Sequence, residues 1–262
     1  MHHIEIVGGH LKYKDSLQAT LSGLNMQIPL GSWTCLLGRS GCGKTSLLRY
    51  LAGLLDEKAQ WSGEVLIKAE DKLSSIRISD RIAYMAQQDL LMPWLSVIDN
   101  VLLSDRFGHN KRSSKDKTSN NNSSERREQA LDLLAKVGLE GKSALLPQQL
   151  SGGMRQRVAL ARTLMQDKPI VLMDEPFSAL DAVTRHRLQN LAHELLSEKT
   201  VVLITHDPQE AIRLASKLFI MQGTPAHAEE LAVPESVIPR RIDADCAVLQ
   251  QSIIEKLESD YE

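Results

Sequence analysis

An α/β fold built on a mostly parallel sheet is what this sequence predicts, and three observations carry the prediction. The runs 170–175 (IVLMDE) and 200–205 (TVVLIT) are continuously apolar apart from polar residues at their ends, as strands buried on both faces must be. Each is followed by a stretch with helical spacing, around 182–196 and 208–215. A further unit of strand, glycine loop and helix stands nearer the N-terminus, where the apolar run 32–38 (SWTCLLG) leads into Leu47, Leu48, Leu51 and Leu54 at helical intervals.

The remaining elements follow in order. Near the start, IEIVGG has the character of a strand. Between the first strand-and-helix unit and Ile170, the stretches 100–103 and 127–137 read as helical, so a helical subdomain is expected to interrupt the core. Within it, the segment 108–127 (GHNKRSSKDKTSNNNSSERR) has no apolar side chain to offset its ordering entropy and is expected to be a mobile, solvated loop. After about Pro225 the tail changes character. Its last part places Cys246, Leu249, Ile253 and Leu257 on one helical face, which is expected to pack against the chain's own core.

Composition narrows the functional classes. A chain of 262 residues with 42% hydrophobic content can build a substantial core as one large domain or two small ones. Lys and Arg number 31 against 33 Asp and Glu, a formal charge of -2, which provides no overall basic field for nucleic acid. Cys35, Cys42 and Cys246 are scattered, odd in number and without metal-ligand spacing, as expected in a reducing, cytoplasmic compartment. No apolar run approaches the roughly 18 residues that a membrane-spanning helix needs, and the N-terminus lacks a basic stretch leading into an apolar signal core. Any membrane role is therefore expected to be peripheral.

The sharpest chemical motif is GRSGCGKT, 38–45, lying between a predicted strand and a predicted helix. Its glycines let backbone N–H groups close around the β- and γ-phosphates of a nucleotide. Lys44 neutralises their charge and the Thr45 hydroxyl can ligate Mg2+. The candidate nucleotide contacts are thus Gly38, Arg39, Ser40, Gly41, Cys42, Gly43, Lys44, Thr45 and Ser46, with Cys42 a small loop residue. A second motif, IVLMDEP, ends a buried strand in two adjacent carboxylates. Successive strand residues point to opposite sides, so Asp174 suits Mg2+ coordination while Glu175 is placed to polarise an attacking water. A third, LSGGMRQRVALARTL (150–164), starts a helix with Ser151, Gly152 and Gly153. Their N–H groups stand bare at the positive end of the dipole, where an anion gains about 0.3–1 kcal/mol. No lysine-bearing glycine loop adjoins this helix start, so the residues alone leave open whose phosphate it meets.

Together GRSGCGKT, LSGGMRQR, IVLMDEP, SALD and THD resemble, in order and approximate spacing, the ATPase domain of ABC transporters, from about residue 4 to residue 222. The resemblance implies a P-loop ATPase core with a mostly parallel sheet, an N-terminal antiparallel β part and an inserted α-helical subdomain. The implied boundaries are an ATPase domain at 1–225, with the nucleotide-binding core at 1–86 and 165–225, the helical subdomain at 87–164 with the polar loop 108–127 inside it, and a tail at 226–262 carrying an amphipathic helix. ATP and Mg2+ are the implied cofactors. In such domains the serine-glycine helix start clamps the γ-phosphate of ATP held by another subunit, which assigns that task to Ser151, Gly152 and Gly153. Gln87 matches the glutamine that approaches Mg2+ and the attacking water and links the site to the membrane partner; Gln88, one place along, is the alternative. His206 matches the histidine that contacts the γ-phosphate, Asp181 the residue that couples the two sites of a dimer, and Tyr13 the aromatic placed against adenine, for which simple packing is the other reading.

The segments 90–101 (LLMPWLSVIDNV) and 174–185 (DEPFSALDAVTR) resemble, more narrowly, the importer ATPases for nitrate, sulfonate, taurine and thiamine-precursor pyrimidines. This implies Pro93 and Trp94 near the groove for a permease helix, core packing being the alternative for Trp94. The implied partners are a second copy of the chain, an integral membrane permease and, indirectly, an extracytoplasmic solute-binding protein, at the cytoplasmic face of the inner membrane and without nucleic acid. The competing class is an ABC-type ATPase acting on nucleic acid or the ribosome. Such proteins usually carry two cassettes or a long coiled-coil insertion, and this chain shows one cassette and a short polar insertion.

Overall fold

The computed structural model describes residues 3–55, 57–68, 78–107 and 119–260. In chain order these form β1 (His3–Tyr13), β2 (Leu21–Pro29), β3 (Trp33–Gly38), α1 (Lys44–Leu51), β4 (Ala59–Lys68), β5 (Ile82–Met85), α2 (Val97–Val101), α3 (Leu103–Phe107), α4 (Ser119–Lys136), α5 (Gly152–Leu164), β6 (Ile170–Asp174), α6 (Ala182–Leu195), β7 (Thr200–Ile204), α7 (Pro208–Leu214), β8 (Lys217–Gln222), β9 (His227–Leu231) and α8 (Ala244–Ser259). They fall into two compact units: Met1–Tyr84 with Pro169–Glu175 and Leu196–Glu262, and Met85–Lys168 with Pro176–Leu195.

The first unit carries an antiparallel sheet in the order β2-β1-β4 and strands of a six-stranded sheet in the order β5-β6-β7-β3-β8-β9. The pairs β6/β7, β7/β3 and β3/β8 are parallel, and β9 returns antiparallel to β8. Every residue of β3, β6 and β7 is buried, which is why their sequences show no alternation. Helix α1 presents Leu47, Leu48 and Leu51 to a core shared with Ile4, Leu24, Leu36 and Val202. Burying each such side chain is worth about 1.5–3 kcal/mol. The helix ends at Leu51, so Leu54, expected to continue its stripe, is instead exposed.

The tail belongs to the first unit. In α8, Cys246 and Ile253 are completely buried, Leu249 and Leu257 are half-buried, and the helix lies against α7. Arg240, ahead of α8, is 3% exposed and donates to the carbonyls of Ile212 (2.9 Å), Ala215 and Pro234 (2.6 Å). A cation thus closes the negative end of α7, where the last helical carbonyls have no intrahelical partner.

The second unit holds α2 to α6. The expected loop 108–127 is corrected in part: residues 119–127 are the first half of α4, while 108–118 lie outside the described residues. Composition argues against this helix, but tertiary anchoring outweighs it. Arg126 pairs with Asp105 at 2.7 Å and donates to the Met165 carbonyl at 2.8 Å, and Ala130 and Leu134 are buried. Arg157 of α5 closes the far end of α4 by donating to the carbonyls of Val137 and Gly138, both at 3.0 Å. Among the described residues no helix is long and apolar enough to cross a membrane.

Truncating the buried guanidinium strands the carbonyls it serves. Arg240→Met is therefore expected to destabilise the protein by about 2–4 kcal/mol, seen as a lower midpoint in denaturant unfolding followed by circular dichroism; an unchanged midpoint would refute this role.

Candidate functional site

The glycine loop joins β3 to α1 as the spacing predicts. Gly38 has φ 154, and a Cβ there would stand 2.6 Å from the Met221 carbonyl oxygen. Gly43 has φ 107, and a Cβ there would stand 2.7 Å from Leu21 Cδ2. Both positions combine a left-handed backbone with close approach, so only glycine fits. Gly43 is also the N-cap of α1, with no side-chain cap and no acidic residue in the first turn, which leaves the positive end of the helix open to an anion. Ser40 and Gly41 are exposed, while Thr45 and Ser46 are half-buried. Lys44 is buried, its ammonium donating to the carbonyls of Gly38 (2.7 Å) and Arg39 (2.8 Å) and approaching Cys42 Sγ at 3.8 Å. Tyr13, at the end of β1, shares a 2.9 Å hydrogen bond between its hydroxyl and Ser46 Oγ. Arg39 sends its guanidinium to Asp260 and Thr224, so in this structure it is the loop backbone and not this side chain that stands ready for phosphate.

Asp174 and Glu175 follow from β6 in the same unit. Asp174 is 1% exposed, and neither carboxylate oxygen has a hydrogen-bond partner among the described residues. Burial pushes its carboxyl above the usual range, the Thr45 hydroxyl pulls it back, and the neighbouring Glu175 charge adds to the rise. A buried carboxylate with orphaned oxygens beside a hydroxyl is a donor set that fits a hard divalent cation such as Mg2+. The alternation expected to separate the two carboxylates stops here: Glu175 adopts φ 49, outside strand geometry, held by its N–H donating to the Ile204 carbonyl at 2.9 Å. Its Oε2 lies 3.1 Å from His206 Nδ1, with the histidine side chain 61% exposed and the glutamate 16%. Thus Gly38–Ser46, Tyr13, Asp174, Glu175 and His206 are assembled in the first unit. Tyr84 joins them unpredicted. Its hydroxyl is held in the neutral form chiefly by burial, with Arg49 and Asp174 acting on it in opposite directions.

Gln87, Ser151, Gly152, Gly153 and Asp181 all lie in the second unit. Ser151 caps α5, its Oγ accepting the Met154 N–H at 3.3 Å. Asp181 accepts the Thr184 N–H at 3.0 Å, and this bond draws its carboxyl below the usual range. Gln87 and Gln88 are exposed beside a cavity of about 380 Å3 that also includes Gly152, Arg155 and Gln156. Helix α5 organises both neighbouring segments. Arg155 pairs with Asp89 at 2.9 Å, Arg162 donates to the carbonyls of Leu90 (2.8 Å) and Asp89 (2.6 Å), and Gln156 accepts the Ala179 N–H at 3.0 Å. Trp94 is 72% exposed and Pro93 is exposed, so core packing of Trp94 is ruled out. What shapes their loop is Asn100, fully buried, which accepts the Met92 N–H at 2.8 Å and donates to the carbonyls of Met92, Leu95 and Ser96. A polar residue on the buried stripe of a predicted helix was the signal available for it.

Comparison with known proteins identifies the family. A family model described as "ABC transporter" matches residues 21–178. An uncharacterized ABC transporter ATP-binding protein of Haemophilus influenzae is 42% identical over 245 residues, 92% of this chain and 93% of that one. An aliphatic sulfonates import ATP-binding protein, SsuB 1 of Xanthomonas axonopodis pv. citri, is 40% identical over 238 residues, 88% of this chain and 86% of that one. Among solved structures, the dimeric ATP-binding cassette MJ0796 in a post-hydrolysis state bound to ADP and Pi is 29% identical with a TM-score of 0.70, covering 87% of this chain and 99% of that one.

The buried, orphaned carboxyl at Asp174 generates a prediction about pH. Its proton is held more tightly folded than unfolded, so in the window between the ordinary carboxylate pKa and the raised one the native state binds more protons and stability falls as pH rises. The isosteric, uncharged Asp174→Asn variant should therefore melt higher than the parent at pH 7 in metal-free and nucleotide-free buffer. A rise of roughly 2–4 °C corresponds to about 1 kcal/mol in a chain of this size. Differential scanning calorimetry decides the matter, and a lower Tm would contradict it.

Proposed function

The chain belongs to the ABC transporter family, as its ATP-hydrolysing cassette, and on that premise we propose that it drives an importer of small aliphatic sulfonates, working as a pair of copies beneath a membrane permease. The observation that carries the solute class is the 40% identity, over 88% of this chain, to a protein named for aliphatic sulfonate import. The observation that supports pairing is the division of anion-binding features: the first unit holds the lysine-bearing loop, whereas the second holds a helix start at Ser151–Gly153 with no such loop among its described residues. The dimeric state of the MJ0796 cassette points the same way.

In this reading ATP lies on the open end of α1, its phosphates facing the loop N–H groups and the Lys44 ammonium, with Tyr13 toward the base. Ser151 and Gly153 of the second copy approach the γ-phosphate from the far side. Asp174 and Thr45 would hold Mg2+, which would supply neutralisation of the phosphate charge, and the family resemblance gives Gln87 as the residue that would add a further contact. Glu175 orients and polarises the attacking water. His206, 3.1 Å from Glu175, fixes that carboxylate and faces the transferring phosphoryl group. Loss of the γ-phosphate removes the anion that holds the copies together, so the clamp opens, as nucleotide switches do. Asp181 links the two copies, and the motion passes through the segment from Gln87 to the exposed Trp94, where the permease docks at the cytoplasmic face of the membrane.

Two variants separate the steps. Glu175→Gln should bind ATP and accumulate as a stable dimer in size-exclusion chromatography while phosphate release falls by orders of magnitude. Ser151→Arg should keep nucleotide binding by the monomer yet lose turnover, and loss of monomer binding would rule out the clamp in trans. For the solute, the cassette copurified with its permease should hydrolyse ATP faster when a binding protein loaded with an alkanesulfonate is added; stimulation by a nitrate- or pyrimidine-loaded binding protein instead would reassign the solute.

A further inference from the structure

A cavity of about 380 Å3 beside the phosphate loop is bounded by Arg39, Ser40, Gly223 and Thr224, and a contact that the mechanism above does not use holds this wall in place. Arg39 is tied to a residue 221 positions later. Its Nη1 donates to the Asp260 backbone carbonyl at 2.8 Å, its Nε lies 3.2 Å from Asp260 Oδ2, and its Nη2 donates to Thr224 Oγ1 at 2.6 Å. Asp260 is the C-cap of α8, and its Oδ1 accepts the Gly223 N–H at 2.6 Å. One turn earlier, Gln222 donates to the Lys256 carbonyl at 2.8 Å, and Lys256 pairs with Glu229 at 2.9 Å. The last turn of α8 is therefore fastened to the turn between β8 and β9, and its C-cap residue grips the phosphate loop.

Charge and exposure make this contact more than a surface pair. The guanidinium stands at the negative end of the α8 dipole, where a cation is favoured. The Asp260 side chain is 8% exposed and that of Arg39 26%, so water screens the pair poorly. The Arg39 carbonyl also receives the Lys44 ammonium at 2.8 Å, so fixing Arg39 fixes the support of that lysine. A glycine-rich loop loses more freedom on ordering than other segments, and an anchor within it removes part of that loss before a ligand arrives.

We propose that Asp260 is a positioning residue for the phosphate loop: docking of the C-terminal end of α8 on Arg39 holds the loop in its nucleotide-accepting shape, and nucleotide affinity is thereby coupled to attachment of the C-terminal helix. This rests on reading 38–45 as the phosphate cradle.

The test uses the full chain with Asp260→Asn, which keeps an acceptor for the Gly223 N–H while removing the charge, and Asp260→Glu, which keeps the charge. Each is titrated with ADP carrying a fluorescent ribose label and followed by amide hydrogen exchange. Asp260→Asn should raise Kd about threefold to tenfold and speed exchange across 38–46. The KM for ATP should rise by the same factor with kcat held, and Asp260→Glu should restore most of the affinity. In an Arg39→Ala background, Asp260→Asn should change nothing further. Unchanged affinity, or faster exchange confined to α8, overturns the proposal. Tighter binding overturns it too, since Arg39 would then be a phosphate ligand that the helix withholds. Lys44→Ala runs alongside: if it binds the labelled ADP as well as the parent does, the phosphate-cradle reading fails and this proposal falls with it, whereas if it loses binding the cradle stands and the affinity of Asp260→Asn decides.

Discussion

Ile204 of β7 is paired on one side with Leu36 of β3 and on the other with Asp174 of β6, so β6 and β7 finish at one level, β3 runs two residues further to Gly38, and three chemical segments start at these ends. Alternating polarity cannot set this register, because all three strands are apolar on both faces and a slip would expose nothing new. Bonds at the strand ends set it. Thr205 N–H donates to the Leu36 carbonyl at 3.2 Å, Glu175 N–H to the Ile204 carbonyl at 2.9 Å and Val201 N–H to the Ser32 carbonyl at 2.9 Å, and a slipped strand would leave such groups buried and unpaired. The phosphate loop, the carboxylates and His206 keep their mutual positions because the backbone must satisfy itself there.

What was legible in the sequence was whatever a few consecutive residues determine. Burial on both faces gave β6 and β7, glycine spacing gave the loop before Lys44, and a serine before two glycines gave the start of α5. What was not legible depends on partners far along the chain. Glu175 leaves strand geometry because Ile204, 29 residues later (204 − 175), offers its carbonyl, so periodicity gave the wrong basis for separating the two carboxylates. The first half of α4 forms on anchors at Asp105 and Met165 that composition does not reveal. Trp94 stands exposed because Asn100 takes up the backbone groups of its loop from beneath.

The site is assembled at a cost to stability that the core offsets. Asp174 is buried without a hydrogen-bond partner for its carboxylate oxygens among the described residues, and Glu175 occupies a backbone region that costs a non-glycine residue about 1–3 kcal/mol. Both penalties fall on adjacent residues at a strand end, where the ladder is rigid enough to impose them. The two helix starts differ in the same spirit. Helix α1 begins on Gly43 without a side-chain cap, whereas at α5 the Ser151 hydroxyl takes up one amide, that of Met154.

A glycine-rich motif is permissive by nature, so its sequence states which shapes are allowed without selecting one. Selection comes from its walls. Met221 of β8 stands where a Cβ on Gly38 would be, and Leu21 and Thr20, at the start of β2, stand where a Cβ on Gly43 would be. The remaining wall, at Arg39, is supplied by Thr224 and the end of α8. These walls come from segments near residues 20, 221 and 260, each held by its own packing in the first unit. The conformation of eight residues is thus a property of that whole unit, and the same eight residues on another scaffold would meet the motif without inheriting its shape.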